Sequence, residues 1–123
     1  MKQILIIDDD SRNIFALRAV LKAKGYPSIS AVSAIDGLNL LFEKPQEFGI
    51  ILMDMMMPEM DGYEAISRIK KNKDTETIPV LAVTAQAMVG DREKCLAAGA
   101  TDYISKPINV DTLITALEKF IKK

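Results

Sequence analysis

The chain has 123 residues, which suits one compact domain with a hydrophobic core, and we predict a single domain over residues 1–123. Its 16 lysine and arginine residues nearly balance its 17 aspartate and glutamate residues, which argues against a nucleic-acid or anionic-membrane partner. It contains no histidine, and this excludes histidine-dependent nucleophilic catalysis and imidazole metal sites.

Five short apolar segments predict β-strands. In chain order they cover residues 4–7, 29–32, 50–53, 80–83 and 102–104. The first, third and fourth are apolar throughout and rich in β-branched residues, which is typical of parallel strands buried on both faces.

Helical periodicity fills the intervals between these strands. The predicted helices cover residues 11–24, 35–43, 63–71, 88–98 and 110–121. The alternation predicts an α/β fold in which a (βα)₅ chain forms a doubly wound parallel five-stranded sheet. Right-handed crossovers favour the flavodoxin-like strand order 2-1-3-4-5.

Polar side chains follow four of the predicted strands at the carboxyl ends. They are Asp8, Asp9, Asp10, Asp54, Thr84 and Lys106. Parallel strands place these ends at one edge of the sheet, and the first and third strands are predicted neighbours, so the carboxylates should converge. Converging carboxylates repel one another, and hard oxygen ligands without cysteine or histidine favour Mg²⁺ or Mn²⁺. The sequence therefore predicts a divalent-cation site.

A phosphoryl group beside such a cation gives the remaining side chains chemical roles. Asp54 would be the nucleophile that forms an aspartyl phosphate, and Lys106 would neutralise charge on the transferring oxygens. Thr84 would donate its hydroxyl to one of those oxygens. Phosphoryl transfer depends mainly on positioning and electrostatics, so these few groups are sufficient.

Four segments together carry a resemblance to a known family. They are ILIIDDD (4–10), LMDMMMPEMDG (52–62), AVTA (82–85) and AAGATDYISKP (97–107). In this order and spacing they resemble the receiver domain of response regulators over essentially the whole chain. Each segment alone is weak, but the combination is specific.

The resemblance implies a metal site and a phosphorylation site. Asp54 is the residue that would be phosphorylated. Asp9, Asp54 and the main-chain carbonyl of Met56 would bind Mg²⁺ directly, and Asp8 would act through water.

The resemblance also implies a conformational switch. Lys106 and Thr84 would contact the phosphoryl group, and the peptide bond between Lys106 and Pro107 would be cis. On phosphorylation, Thr84 would move toward the phosphoryl group while Tyr103 rotates inward. This motion would reshape the face formed by the fourth helix, fifth strand and fifth helix.

Two positions that vary within the family tune the lifetime of the phosphoryl group, and they are Met56 and Gln86 in this sequence. A polar side chain at the first position could align the attacking water, whereas methionine cannot. We therefore hypothesise that Met56 slows self-dephosphorylation.

The predicted function is that of a phosphoacceptor in a two-component phosphorelay, not an enzyme. Because the chain has no histidine, the phosphoryl group must come from a partner kinase, a phosphotransfer protein or a small acyl phosphate. The partner that we expect is a histidine kinase or a histidine phosphotransfer protein. A downstream protein target would bind the reshaped face. The single Cys95, the absence of a signal peptide and the short apolar runs predict a cytoplasmic location with no membrane contact.

Two other functions on the same fold are less consistent with the sequence. Phosphatases with an aspartate nucleophile usually place a second aspartate two residues later as a general acid, and here that position is Met56. A flavin- or nucleotide-binding module would need a Gly- or Thr-rich phosphate cradle after the first strand, where this chain has carboxylates.

A group of methionines surrounds Asp54 in the sequence. It comprises Met53, Met55, Met56, Met57 and Met60. We interpret these flexible side chains as core packing beneath a loop, not as a copper site.

Overall fold

The structure is a computed structural model that describes residues 2–85 and 90–121. Strands and helices alternate along the chain. In order they are β1 (Gln3–Ile7), α1 (Ser11–Ala23), β2 (Ser28–Ala31), α2 (Ala34–Glu43), β3 (Phe48–Asp54), α3 (Gly62–Lys71), β4 (Val80–Thr84), α4 (Asp91–Ala98), β5 (Asp102–Ser105) and α5 (Val110–Phe120), with a 3₁₀ turn at Pro45–Glu47 before β3.

The strands form one parallel sheet in the order β2-β1-β3-β4-β5, which confirms the predicted fold class and strand order. In the register of the central strands, Ile7 lies opposite Met53 and Asp54 lies opposite Val83. The carboxyl ends of β1, β3 and β4 are therefore level with one another at one edge.

Two hydrophobic cores hold the helices against the two faces of the sheet. Alternate residues of the central strands point to opposite faces, as the pleat requires. Leu5 and Ile7 of β1 contribute to the core beneath α2, α3 and α4. Ile4 and Ile6 contribute to the core beneath α1 and α5. Residues 4–7 of β1 and 50–53 of β3 are apolar and buried, as predicted for strands covered on both faces.

Side-chain caps start four of the five described α-helices, and α4 begins after Gly90 without one. Asp10 caps α1, and its Oδ1 accepts a hydrogen bond from the Arg12 N–H at 2.9 Å. Ser33, Asp61 and Asn109 cap α2, α3 and α5 in the same manner. These caps fix the residues at which α1, α2, α3 and α5 begin.

The predicted element boundaries agree with the structure to within one or two residues where the chain is described. The start of the fourth helix was predicted at Met88, which lies outside the described residues, and α4 is described from Asp91. Among the described residues, no helix combines the length and apolar character needed to span a membrane.

One packing prediction needs correction. Met53, Met55 and Met57 are buried, and Met60 packs partly buried against the core, as expected. The side chain of Met56 is 57% exposed, so its assignment to the core was wrong. Met56 follows β3 in the loop at the sheet edge, where the core ends.

Candidate functional site

Three carboxylates converge at the carboxyl edge of the sheet. Oxygen atoms of Asp8, Asp9 and Asp54 all lie within 4.8 Å of one another. Asp8 and Asp54 are buried, whereas Asp9 is exposed. This arrangement leaves one open side toward solvent, and oxygen ligands of this kind suit a hard divalent cation.

Lys106 bridges the two buried carboxylates. Its Nζ lies 3.5 Å from Asp8 Oδ2 and 3.5 Å from Asp54 Oδ2. The Lys106 main-chain N–H donates to the Thr84 carbonyl oxygen at 2.8 Å, which anchors the start of the β5–α5 loop to β4. Burial acts to lower the pKa of Lys106, but the charges of Asp54 and Asp8 outweigh it and leave the pKa raised. Lys106 therefore remains a cation.

One lysine does not offset the negative charge around Asp54. Burial raises the pKa of Asp54 to about 6 from its ordinary value of 3.8. A hydrogen bond from the Met56 N–H to Asp54 Oδ1, at 3.1 Å, opposes this rise, whereas the charge of Asp8 adds to it. The net charge of the site is therefore negative, and a bound divalent cation would neutralise it.

Asp8 is held by hydrogen bonds at both oxygens. Its Oδ1 accepts from the Asp10 N–H at 2.8 Å, and its Oδ2 accepts from the Asn13 side-chain amide. The sequence prediction did not include Asn13. Its position would have been a signal, because with Asp10 as the cap, Asn13 is the third residue of α1, and such residues can reach back past the helix start.

Asp10 has a different place from the other acidic residues. It is exposed, and its carboxylate caps α1 and lies 3.7 Å from Arg12 Nε. The hydrogen bond from the Arg12 N–H lowers the pKa of Asp10. The cluster found among the described residues does not include Asp10, so the expectation that Asp10 converges with the other carboxylates needs correction. The helix start uses this carboxylate instead.

Thr84 lies on β4, the strand next to β3, and Tyr103 lies on β5, the strand beyond β4 at the edge of the sheet. Thr84 is the last residue of β4 and is buried, directly after the residue that pairs with Asp54. Tyr103 lies on β5 opposite Ala82 and is half-buried against the core beneath α2, α3 and α4. The structure thus places both residues close to the site edge, and their motion on phosphorylation stays a prediction.

Three further expectations concern the loops. The Lys106–Pro107 peptide bond is cis, as the resemblance implied. Metal binding by the Met56 carbonyl stays a prediction, as does the effect of its exposed side chain on the phosphoryl lifetime. Gln86 lies outside the described residues.

Comparison with known sequences identifies the family. The sequence model of the response regulator receiver domain matches residues 4–118. This chain belongs to the response regulator receiver family. The receiver domain resembles the polar-differentiation response regulator DivK of Brucella ovis, with 36% identity over 120 residues that cover 98% of this chain and 96% of DivK.

Solved structures agree with this assignment. The receiver domain of the sensor histidine kinase PA1611 from Pseudomonas aeruginosa is 33% identical, with a TM-score of 0.87, and the match covers 98% of this chain and 97% of that one. That structure is described with a magnesium ion coordinated in its active-site cleft. A receiver domain protein from Clostridium thermocellum is 26% identical, with a TM-score of 0.90 and coverage of 98% and 94%.

Family membership settles the general role of this receiver domain. Receiver domains act in two-component signalling, where they are phosphoacceptors that interact with histidine kinases or phosphotransfer proteins, and they are not generally classed as enzymes. The acidic pocket of Asp8, Asp9 and Asp54 fits magnesium binding.

Proposed function

We propose that residues 1–123 form one receiver domain that accepts a phosphoryl group on Asp54 in a Mg²⁺-dependent reaction. The observation that carries this proposal is the buried Asp54 carboxylate, within 4.8 Å of two further carboxylates and 3.5 Å from Lys106 Nζ. A nucleophile, a cation site and a fixed positive charge are thus combined in one small pocket.

The donor set favours Mg²⁺, with Mn²⁺ as a substitute. Asp8, Asp9, Asp54 and the Met56 carbonyl would hold the ion, and all of these ligands offer oxygen. When bound, Mg²⁺ would neutralise the carboxylates and the charge that develops on the phosphoryl oxygens. The magnesium described in the cleft of the PA1611 receiver domain supports this assignment.

The transfer itself requires little of the protein beyond positioning. The Met56 N–H occupies Asp54 Oδ1, which leaves Oδ2, beside Lys106, as the attacking oxygen. The bond from Oδ2 to phosphorus forms as the bond from phosphorus to the donor imidazole nitrogen breaks, and the electron pair stays on that nitrogen. Lys106 stabilises charge on the transferred oxygens, and Thr84 donates its hydroxyl to one of them.

The partner and the output follow from the composition and the fold. Because the chain has no histidine, the donor would be a histidine kinase or a histidine phosphotransfer protein in the cytoplasm. Thr84 and Tyr103 connect the pocket to the face formed by α4, β5 and α5, which would bind the downstream protein target.

Incubation with acetyl phosphate and Mg²⁺ tests this function. We expect the wild-type protein to gain about 80 Da, one phosphoryl group, at Asp54, and we expect Asp54→Ala to gain none. Intact-mass spectrometry with peptide mapping measures both. Labelling of Asp54→Ala equal to wild type would disprove the proposal. Rapid acetyl phosphate turnover without an adduct would indicate a phosphatase, and inertness with bound flavin would indicate a cofactor-binding module.

The exposed side chain of Met56 offers a second test at the same site. We expect Met56→Asn to shorten the lifetime of the phosphoryl group by about tenfold, because an amide can align the attacking water and a thioether cannot. Loss of the adduct with time after removal of acetyl phosphate gives the rate. Phe15→Asn replaces another exposed apolar side chain, on α1, and should leave the lifetime unchanged. Equal lifetimes for Met56→Asn and wild type would contradict the hypothesis.

A further inference from the structure

Three donor groups lie close to the carboxylate of Asp8. Asp8 is only 3% exposed, so water has little access to its oxygens. The Asp10 N–H occupies Oδ1, and the Asn13 amide occupies Oδ2 together with the more distant Lys106 Nζ at 3.5 Å. The plane of this carboxylate is therefore fixed from two sides by the first turn of α1.

We propose that Asn13 is a positioning residue that orients Asp8 for Mg²⁺ and keeps Lys106 available to Asp54. This inference rests on the proposed Mg²⁺-dependent function. Asn13 acts through Asp8 and makes no contact with the phosphoryl group. Partners that orient metal-binding carboxylates commonly change metal affinity by one to two orders of magnitude.

The position of Lys106 shows why the amide matters. Lys106 Nζ is equally distant from Asp8 Oδ2 and Asp54 Oδ2, and neither contact is short. Without the Asn13 donor, the buried Asp8 Oδ2 would have only the lysine to satisfy it, because an unpaired buried carboxylate oxygen is costly. Lys106 would then move toward Asp8 and away from the phosphoryl acceptor.

The chemistry of the asparagine amide also fits this role. A neutral amide satisfies one carboxylate oxygen without adding charge, so the pocket keeps its attraction for a divalent cation. A lysine or arginine at this position would make the same hydrogen bond but would compete with the cation electrostatically. Asn13 is half-buried at the third position of α1, so its side chain reaches Asp8 without distortion of the helix.

Calorimetric titration with Mg²⁺ alone tests the proposal. The proteins are the wild type, Asn13→Leu, Asp8→Asn and the double variant, with Asn39→Leu on the exposed face of α2 as the matched control. We expect Asn13→Leu to raise the Kd for Mg²⁺ about tenfold and Asn39→Leu to leave it unchanged. In the Asp8→Asn background, Asn13→Leu should cause no further loss, because the carboxylate that it orients is absent.

The titration distinguishes failure of the proposed function from failure of the proposed role of Asn13. No Mg²⁺ binding by the wild type would overturn the proposed function itself. Binding by the wild type with an unchanged Kd for Asn13→Leu would overturn only the role of Asn13, and so would an equal loss with and without Asp8. Thermal unfolding of the metal-free variants shows whether each one folds. If Asn13→Leu fails to fold, Asn13→Ala replaces it, with the same expected change in the Kd for Mg²⁺.

Discussion

We expect the Asp54→Asn protein to unfold at a higher temperature than the wild type when both are free of metal. Burial raises the pKa of Asp54 from 3.8 to about 6, so the ionised carboxylate opposes folding by up to about 3 kcal/mol at neutral pH. Asparagine keeps an acceptor for the Met56 N–H but removes the charge. A gain of about 1–3 kcal/mol corresponds to a rise in Tm of roughly 3–10 °C.

The difference in stability between Asp54→Asn and the wild type should decrease as the pH falls. The folded protein takes up a proton at Asp54 near pH 6, and the unfolded chain does so only near pH 3.8. The contribution of Asp54 to the stability of the metal-free wild type therefore becomes less unfavourable as the pH falls through 6 toward 4. The advantage of Asp54→Asn should be largest above pH 7 and nearly absent at pH 4.

Thermal melts in chelator, followed by circular dichroism across this pH range, measure the effect. Saturating Mg²⁺ should reduce the difference in Tm between Asp54→Asn and the wild type, because the cation stabilises the wild-type pocket. Asp74→Asn, which changes an exposed aspartate in the turn after α3, is the control for the loss of one negative charge. A lower Tm for Asp54→Asn than for the wild type at pH 7 would show that the pocket is already neutralised without metal.

Lys106→Met should separate phosphoryl acceptance from metal binding. Methionine has nearly the same length as the lysine stem but lacks the charge that lies 3.5 Å from Asp8 and Asp54. We expect the rate of labelling by acetyl phosphate to fall about 100-fold, because a preorganised positive charge at the transferring oxygens is lost. The affinity for Mg²⁺ should rise, because a competing cation has been removed.

Labelling time courses by intact-mass spectrometry and Mg²⁺ titrations measure the two effects independently. Lys73→Met changes an exposed lysine after α3, and it should alter neither quantity. If Lys106→Met were labelled as fast as the wild type, the ammonium would have no part in the transfer. Weaker Mg²⁺ binding by this variant would instead indicate that Lys106 holds the carboxylates in place for the ion.

The pattern of apolar and polar residues was sufficient to predict the sheet. Central strands covered on both faces must be apolar along their length, and the helices between them must be amphipathic, so both periodicities are visible without coordinates. The parallel order then places Asp8, Asp9 and Asp54 at one edge, and the structure brings them within 4.8 Å. Convergence follows from topology, which is why the cation site was predictable.

Without the family resemblance, residue type alone could not distinguish the roles of neighbouring residues in the same loop. Asp8 and Asp10 are two positions apart and chemically identical, yet one is buried in the pocket and the other caps α1. Met56 lies between buried methionines and is itself exposed. Such differences depend on the direction in which each side chain leaves the backbone, and composition carries no information about that direction.

By itself, the sequence determined the fold class and the set of polar residues at the carboxyl edge, because periodicity defines the strands and parallel strands end at one edge. It favoured the observed strand order through the rule of right-handed crossovers. Only the tertiary structure decided that Asn13 holds Asp8, that Lys106 lies midway between two carboxylates, and that burial raises the pKa of Asp54. These properties depend on distances of a few ångströms and on exclusion of water. Both arise only when separate elements pack together.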